Sequence, residues 1–482
     1  MLRTVGDQPS LWESVLPAEV LALPAELARV DALLDDPVFL APFTAFFDPR
    51  MGRPSTPVET YLRLMFLKFR YRLGYESLCR EVADSITWRR FTRIGLAGRV
   101  PDPTTLMKLT TRFGPTVVEA LNAALLARAV KAKVLRTHRV RADTTVVPAN
   151  VAYPTDSGLL AKAVRRIATT VRRVQAAGGA SRTRVRNRSR SAGAKAHAIG
   201  AKLRTRAAAA SGGRDEALAA VRRTTGELAD LADRAAGDAR AVLVNARRAV
   251  TRATARARGL ARRRMQDPAA GRRRGALRRA VTDLAELLDT TEQIVAQTRQ
   301  RLAGTTPDGA TRRVSLHDAD ARPIAKGRLG RPVEFGYKAQ LTDTVDGVVV
   351  DYVLERGNPP DAPQLAPAIA RVAALAGRVP RTVTADRGYG EAVVEQALRD
   401  LGVRTVVIPR KGRPGQARQA VERRRSFRRT VKWRTGCEGR ISALKRGYGW
   451  DRTRLDGTTG ARTWTGYGLL AHNLTKIAAL TA

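Results

Sequence analysis

The stretch between Tyr153 and Phe335 contains no aromatic residue, although both flanking regions contain Phe, Tyr and Trp. Within it lie arginine runs such as Arg272–Arg274, together with many alanines. A globular core without aromatic side chains is unusual, whereas elongated packed helices need none. We therefore expect residues 158–310 to form a separate helical insertion within an aromatic-containing protein.

Heptad spacing supports helices within this segment. Apolar residues alternate steps of three and four in three runs, which begin at Leu160, Leu218 and Leu277. Such spacing forms the apolar seam of a long helix, so we expect an antiparallel, coiled-coil-like bundle. The Gly-, Pro- and Arg-rich stretches 178–213 and 268–275 favour connectors or disordered basic loops. The alternative is that the whole segment is partly disordered and of low complexity.

The charge of the chain restricts its partners. The sequence has 87 Lys and Arg against 44 Asp and Glu, a formal net charge of +43. Such a chain favours polyanions through phosphate neutralisation, although a solvated basic surface is the alternative.

Its two cysteines show no pairing or zinc-ligand pattern. No uninterrupted apolar run approaches the roughly 20 residues of a membrane span, so we expect a cytoplasmic, nucleoid-associated protein without membrane contact.

Outside the insertion, strand-like and helix-like patterns follow one another in a definite order. Three strands come first, then a helix, a strand, a helix, a strand and a helix; they are predicted over residues 135–147, 335–342, 348–355, 362–375, 381–386, 391–401, 403–408 and 422–446. This is the order of the RNase H-like fold. We predict an α/β protein whose RNase H-like catalytic core is a mixed five-stranded sheet flanked by helices. The core comprises residues 131–157 plus 311–482, and an all-α amino-terminal domain precedes it over residues 1–130.

Three acidic residues occupy informative positions in this order. Asp143 lies on the first strand, Asp386 ends the fourth, and Glu438 lies in the last helix. Arg434 precedes Glu438 by four residues and Lys445 follows it by seven, so one helical stripe carries all three. Two strand carboxylates and one helix carboxylate flanked by cations suit two Mg²⁺ ions over a phosphodiester. These acids are therefore the predicted catalytic and metal-binding residues.

Each of these residues has a simpler interpretation. A single Asp at a strand end is often a turn or cap residue. The Arg434 and Glu438 pair alone is equally an exposed i,i+4 salt bridge. Competing acids are Asp343, Asp351 and Asp361; we expect Asp361 to begin a helix and the other two to flank a hairpin.

The amino-terminal region is predicted to be all-helical. A helix that includes Leu62 to Phe69 is separated from another, Tyr75 to Ala83, by the short turn Tyr71–Gly74. Helix-turn-helix units often have such a turn, and Trp88–Arg93 then interleaves aromatic and basic residues. The region is thus a candidate DNA-binding domain, with an ordinary helical packing domain as the alternative.

Several short motifs resemble one known family, the DDE-type insertion-sequence transposases of bacteria. They occur in the expected order around Asp143, at Gly357–Asp361, at Asp386–Tyr389, around Glu438 and at Ala471–Leu474. The group concerned carries a Tyr-x2-Arg-x3-Glu-x6-Lys signature. Arg434, Glu438 and Lys445 match it, whereas the tyrosine position is Val431, which puts a phosphate or base contact in doubt.

The resemblance implies a reaction and a cofactor. A transposase of this type cleaves DNA at terminal inverted repeats and transfers the 3′-hydroxyl end into target DNA. Asp143, Asp386 and Glu438 would hold two Mg²⁺ ions, for which Mn²⁺ would substitute. The alternatives are a catalytically inactive transposase-derived DNA-binding or architectural protein and, less favoured, a general nuclease or junction resolvase.

The resemblance also implies DNA contacts and an assembly. Contacts to DNA phosphates would come from Arg434, Lys445 and Arg387, and further DNA contacts would come from Arg89, Arg90 and Arg440. The partners would be double-stranded DNA, as inverted repeats and target, and a second copy of the chain in a synaptic homodimer. Apart from the resemblance, the basic helices of the insertion make it a candidate for holding flanking or partner DNA, and its heptad seams make subunit pairing the alternative.

Overall fold

The computed structural model describes residues 1–5, 15–48, 50–52, 54–208, 211–262, 268–328 and 331–481. The predicted amino-terminal domain and insertion therefore include some positions outside the described residues. The chain divides into two compact units. We call Met1–Asn150 with Ile324–Ala482 the sheet unit, and Val151–Pro323 the helical unit.

The amino-terminal part of the sheet unit is helical, as predicted. Its helices are α1 (Ala18–Leu21), α2 (Ala25–Leu34), α3 (Ala41–Thr44), α4 (Val58–Arg70), α5 (Tyr75–Asp84), α6 (Ile86–Thr92) and α7 (Pro103–Lys131). The predicted short turn joins α4 to α5, and Arg72 within it has a left-handed backbone (φ 57°). Nearly every residue of α4 is buried, so this helix forms the centre of the helical layer.

A mixed sheet follows. Its strands are β1 (Arg139–Pro148), β2 (Arg322–Arg328), β3 (Arg331–Thr344), β4 (Val349–Arg356), β5 (Thr382–Thr384) and β6 (Thr405–Val407). The strand β3 pairs antiparallel with both β1 and β4, and β1, β5 and β6 are parallel neighbours. The expected five strands are present, but the described sheet has six, because β2 also pairs with β3. The hairpin between β3 and β4 turns at Gly347 (φ 77°), as the Asp-Gly pair predicts.

The remaining helices of the sheet unit follow and separate the strands. They are α12 (Leu365–Ala376), α13 (Ala392–Asp400), α14 (Gln416–Arg423), α15 (Arg425–Arg434), α16 (Gly436–Gly447) and α17 (Gly457–Leu480). The prediction of one continuous helix over residues 422–446 is wrong. The backbone is extended at Arg424 (ψ 139°). A second, smaller break falls at Thr435, which keeps helical angles, so Arg434 and Glu438 still lie one turn apart.

The helix α17 was not predicted, yet it forms much of the core of the sheet unit. Its middle is buried almost continuously. The side-chain amide of Asn473 donates to the carbonyl oxygen of Val349 and accepts from its N–H, so it continues the edge of β4. The indole of Trp450 donates to the carbonyl oxygen of Thr465. These buried polar groups fix α17 against the sheet.

The helical unit consists of packed long helices. They are α8 (Asp156–Ala176), α9 (Ser189–Ala208), α10 (Ser211–Arg262) and α11 (Pro268–Leu302). The heptad positions Leu160, Leu228 and Leu284 are fully buried, and two aliphatic clusters join the four helices. The prediction of connectors over 178–213 and 268–275 is wrong for α9 and for the start of α11. In α9, packing of Ala192 and Ile199 outweighs the Gly and Arg content. In the start of α11, none of the described residues before Leu277 is buried, and this start continues the packed helix.

One helix of the sheet unit, α7, is strongly apolar. Among the described residues, α7 is long and apolar enough to cross a membrane by length and composition alone. Half of its most apolar window is buried inside the protein, and it packs against α17. Burial in a protein core thus accounts for the apolar residues of α7.

The close approach of α17 to Tyr448 gives a stability prediction. A Cβ at Gly468 would lie 2.3 Å from the carbonyl oxygen of Tyr448 and 3.0 Å from Trp450. Gly468→Ala is therefore expected to lower the free energy of unfolding by about 1–3 kcal/mol through overpacking. Tryptophan fluorescence during denaturation reports the sheet unit alone, because all five tryptophans lie outside residues 151–323.

Gly439→Ala is the matched control, because a Cβ at this exposed helical position meets nothing within 4 Å. We expect it to be neutral or stabilising by up to about 1 kcal/mol through helix propensity. Equal losses in both variants would contradict the packing argument.

Candidate functional site

The three predicted acids line one cavity of about 540 Å³ in the sheet unit. Asp143 lies on β1, Asp386 follows β5, and Glu438 lies in the first turn of α16. The strands β1 and β5 are parallel neighbours in which Arg141 pairs with Thr384. Two residues further along each strand come Asp143 and Asp386, so the register itself brings these carboxylates to the same edge of the sheet.

Asp143 is the most buried of the three acids. Its side chain is 11% exposed, whereas that of Glu438 is 62% exposed. The pKa of Asp143 is raised to about 6, mainly by burial and in part by the nearby charges of Asp386 and Glu438. The N–H of Thr144, which donates to Asp143 Oδ1 at 2.8 Å, acts in the opposite direction. Burial is therefore the main reason why the charged form of Asp143 is disfavoured.

Arg434 connects the strand acid to the helix acid. Its Nη1 lies 3.0 Å from Asp143 Oδ2, and its Nη2 lies 3.0 Å from Glu438 Oε1. The side chain of Arg434 is only 14% exposed. The alternative of a merely exposed i,i+4 pair is therefore wrong, because the guanidinium group is largely buried and bridges two elements.

A buried ion pair between Arg141 and Asp343 lies near the three acids. Arg141 Nε and Nη2 donate to the two carboxylate oxygens of Asp343 at 2.7 and 2.9 Å, across the β1–β3 register. Arg141 Nη1 donates to the carbonyl oxygen of Trp433 at 2.8 Å, and its guanidinium lies 4.7 Å from the centre of the Trp433 ring. The pair thereby fastens the end of α15, next to Arg434, to the sheet.

The backbone between α15 and α16 leaves room for the Arg141–Asp343 pair, because residue 436 is a glycine. A Cβ at Gly436 would lie 2.1 Å from Arg141 Nη1, so only glycine fits there without displacement of the arginine. Arg440 approaches the same carboxylate from α16, with its Nε 3.5 Å from Asp343 Oδ2, and its side chain is 15% exposed. Arg440 is thus engaged with Asp343, and its predicted DNA contact stays a prediction.

Sequence reasoning missed a second acid–base pair in the cavity. Asp361 was expected to begin a helix; it does precede a short 3₁₀ turn, but its side chain makes no capping hydrogen bond. Instead Asp361 Oδ1 lies 2.6 Å from Lys338 Nζ, and both residues line the cavity. The available signal was the Gly357–Asp361 motif, although only the sheet register brings Lys338 beside it.

The structure does not bring every predicted DNA-binding residue to this cavity. Lys445 lines it, whereas Arg387 stands beside it and donates to the carbonyl oxygens of Arg410 and Gly412. Arg89 and Arg90 lie on α6, and Arg89 donates to three backbone carbonyl oxygens of its own region. The roles of these residues in DNA binding stay predictions.

The donor set can be tested for its fit to a divalent metal. Within the described part of the chain, no three His, Cys, Asp or Glu side chains lie close enough together to form a metal-binding group. The guanidinium group of Arg434 takes a position between Asp143 and Glu438. The lining acids offer carboxylate oxygens, the ligands that Mg²⁺ prefers. The donor set therefore fits such an ion chemically.

Carboxylates and cations around one cavity at a sheet edge are typical of enzymes that act on phosphodiesters. Family comparisons agree. Residues 18–112 match the model "Transposase domain (DUF772)" and residues 304–474 match "Transposase DDE domain". The chain belongs to the DDE-type transposases of insertion sequences and is a DNA transposase. The family implies DNA as substrate, cleavage and transposition activity, and use of a divalent metal.

One curated relative gives a partial match. The chain is similar, at 29% identity over 146 residues, to "Uncharacterized protein ORF8 in nfe locus" of Rhizobium meliloti. The match covers 29% of this chain and 70% of the relative. No solved structure matches the chain significantly. Asp386 and Glu438 lie inside the DDE match, whereas Asp143 lies outside both matched ranges.

The buried ion pair gives a second stability prediction. Asp343→Ala leaves the Arg141 guanidinium buried without its partner, and we expect a loss of about 3–5 kcal/mol in the free energy of unfolding. The double variant Arg141→Met with Asp343→Leu removes both charges of the pair, so it should recover part of this loss; Arg440, which also approaches Asp343, keeps its charge. Denaturation followed by tryptophan fluorescence measures both, and a double variant as unstable as Asp343→Ala would contradict the role of the pair.

Proposed function

We propose that this protein is an active transposase that cleaves DNA at the ends of its own element and joins the freed 3′-hydroxyl to target DNA. The observation that carries the proposal is the meeting of Asp143, Asp386 and Glu438 with Arg434 and Lys445 in one cavity. These residues come from two strands and two helices, so their proximity is a property of the fold.

We infer further that the sheet is an RNase H-like core. Without β2, the strands lie in the order β4, β3, β1, β5, β6, with the first three antiparallel and the last three parallel. This order places the first and fourth strands of the predicted fold side by side. We propose residues 131–157 plus 311–482 as the core, residues 1–130 as a DNA-binding region and residues 158–310 as the insertion; the compact helical unit, Val151–Pro323, contains this insertion and a few residues on either side of it.

In this proposal Asp143, Asp386 and Glu438 hold two Mg²⁺ ions, or Mn²⁺ in their place. When bound, such ions supply charge stabilisation for the attacking and leaving oxygens. Arg434 keeps the carboxylates of Asp143 and Glu438 near one another while the helix is fastened to the sheet. Arg434 and Lys445 would neutralise phosphate oxygens, since Arg suits paired contacts and Lys a point charge.

The reaction then has two displacement steps at phosphorus. Water attacks the phosphodiester at the element end and releases a 3′-hydroxyl. That hydroxyl attacks a phosphodiester of the target, so one P–O bond forms as another breaks and no external energy source is needed. The net charge of +43 suits binding of two DNA segments, and we propose a homodimer in the synaptic complex of a nucleoid-associated, cytoplasmic enzyme.

Substitution of the acids tests the proposal. Asp143→Asn, Asp386→Asn and Glu438→Gln should each lower the rate of cutting at the element ends by roughly 10²-fold or more, because each removes a carboxylate that would hold the metal ions at the reacting phosphate. Binding of the same DNA should persist. Cutting is measured on a labelled duplex that carries the inverted repeat found beside the gene.

The matched control is Asp351→Asn, an acid on β4 that pairs with Arg371 and does not line the cavity. It should cut normally. Normal cutting by Asp386→Asn would sink the assignment, and equal cutting of DNA without element ends would favour a general nuclease.

Removal of divalent metal provides an independent prediction. Addition of a chelator should stop cutting and leave DNA binding intact, and Mg²⁺ or Mn²⁺ in excess should restore cutting, because the carboxylates alone offer no charge stabilisation to a phosphodiester. Cutting that persists after exhaustive chelation would contradict the metal requirement.

A further inference from the structure

A second cavity, of about 440 Å³, lies elsewhere in the sheet unit. It is bordered by the end of α4, the turn that leads into α5, part of α7, the segment Gly449–Leu455 and Trp464. The segment Gly449–Leu455 follows α16 almost directly, so the cavity connects the predicted helix-turn-helix region with the helix that carries Glu438. None of its lining residues belongs to the acid-lined cavity.

Lys68 is a buried cation in the wall of this cavity. The residue is 3% exposed, and its Nζ donates to the carbonyl oxygen of Leu73 at 3.1 Å. The Nζ also lies 4.5 Å from the centre of the Tyr75 ring and 4.4 Å from that of Trp464. Among the described residues no carboxylate forms an ion pair with it. The pKa of Lys68 is lowered to about 8, mainly by burial and in part by the charge of Arg454.

The other charged groups of the cavity add to this positive potential. Arg72, Arg452 and Arg454 line it, against the single acid Asp451, which lies 2.6 Å from Arg72 Nη2. Four cations thus share one carboxylate. A buried positive charge without a counter-charge is costly, so this arrangement favours an anion from outside the chain.

The backbone also favours an anion in this cavity. Helix α5 begins after Gly74, and no side chain caps its first N–H groups. Gly74 and Tyr75 line the cavity. Uncapped N–H groups and the positive end of the helix dipole favour phosphate.

The remaining wall is apolar. Met107, Leu455 and the ring of Trp464 face the same space. The volume falls within the roughly 300–1,000 Å³ of small-molecule sites. Cations on one side and apolar groups on the other match a phosphate joined to a sugar and base.

We propose that this cavity binds one nucleotide unit of a DNA strand, with its phosphate among Lys68, Arg452 and Arg454 and its sugar or base against Met107 and Leu455. This proposal rests on the proposed function, because the strand belongs to the DNA on which the enzyme acts. The segment Gly449–Leu455 in the wall follows α16, the helix that carries Glu438.

The test compares DNA binding by charge-removing variants in an Asp386→Asn background without metal, so that cleavage does not enter the measurement. Arg454→Gln should weaken binding of a fluorescent duplex and lower the slope of log affinity against log salt by about 1, the loss expected for one phosphate contact. The control is Arg378→Gln, an exposed arginine that lines neither cavity. Equal slopes for Arg454→Gln and the control would overturn the proposal.

Lys68→Met provides a second variant, with melting followed by tryptophan fluorescence to show that it folds. It should weaken DNA binding as Arg454→Gln does. If Lys68→Met does not fold, Arg454→Gln, at an exposed position, still decides.

Calorimetry with thymidine 5′-monophosphate and with inorganic phosphate distinguishes a DNA strand from a free nucleotide or phosphate as the ligand. Nucleotide bound by the parent protein and lost in Arg454→Gln, with DNA binding unchanged, would indicate a free-nucleotide site and refute the strand proposal. The slope loss in this test, together with no cutting by the chain that keeps Asp386, would support the cavity and contradict the proposed chemistry.

Discussion

The buried pair of Arg141 and Asp343 is the interaction on which the rest of the site depends. It lies in register across β1 and β3, two residues from Asp143 on the same face of the strand. Through the carbonyl oxygen of Trp433 it also holds the helix that presents Arg434. A buried ion pair is weak evidence of net stability, because desolvation offsets the attraction. Its value here is positional, since it fixes a helix acid relative to a strand acid.

The position of these acids gives the cavity a charge that differs from that of the whole chain, and this difference suits DNA as the substrate. The chain is strongly basic, whereas acids slightly outnumber cations in the lining of the cavity. The acids are Asp143, Glu334, Asp361, Asp386 and Glu438, and the cations are Lys326, Lys338, Arg434 and Lys445. Arg434 reaches two of these acids, and still the pKa of Asp143 remains raised by burial and by its acidic neighbours. A basic exterior attracts the DNA backbone, and a locally acidic cavity accommodates the cations that phosphodiester chemistry requires.

Much of the sheet could be predicted because local patterns specify it. Strand alternation and the parallel order place Asp143 and Asp386 together, and glycines at 347 and 377 mark turns with positive φ. Other features depend on contacts distant in sequence. The pairing of Lys338 with Asp361, the extra strand β2 and the break at Arg424 have no local signature. The helix α9 was missed because Gly and Arg content predicts a connector, whereas packing against α10 decides its structure.

The insertion shows why the site tolerates so large an interruption of its sheet. The strands β1 and β3 are neighbours in space, although the 151–323 unit separates them in sequence. Loop-closure entropy grows only logarithmically, by about 0.6 kcal/mol for each doubling of length, so four doublings beyond a short loop cost about 2–3 kcal/mol. An insertion with its own aliphatic core costs less than this, because its folding restricts the separation of its ends. The nine residue pairs between Val140 and Pro148 on β1 and Gly336 to Thr344 on β3 then suffice to close the sheet, and the Arg141–Asp343 contact forms part of that closure.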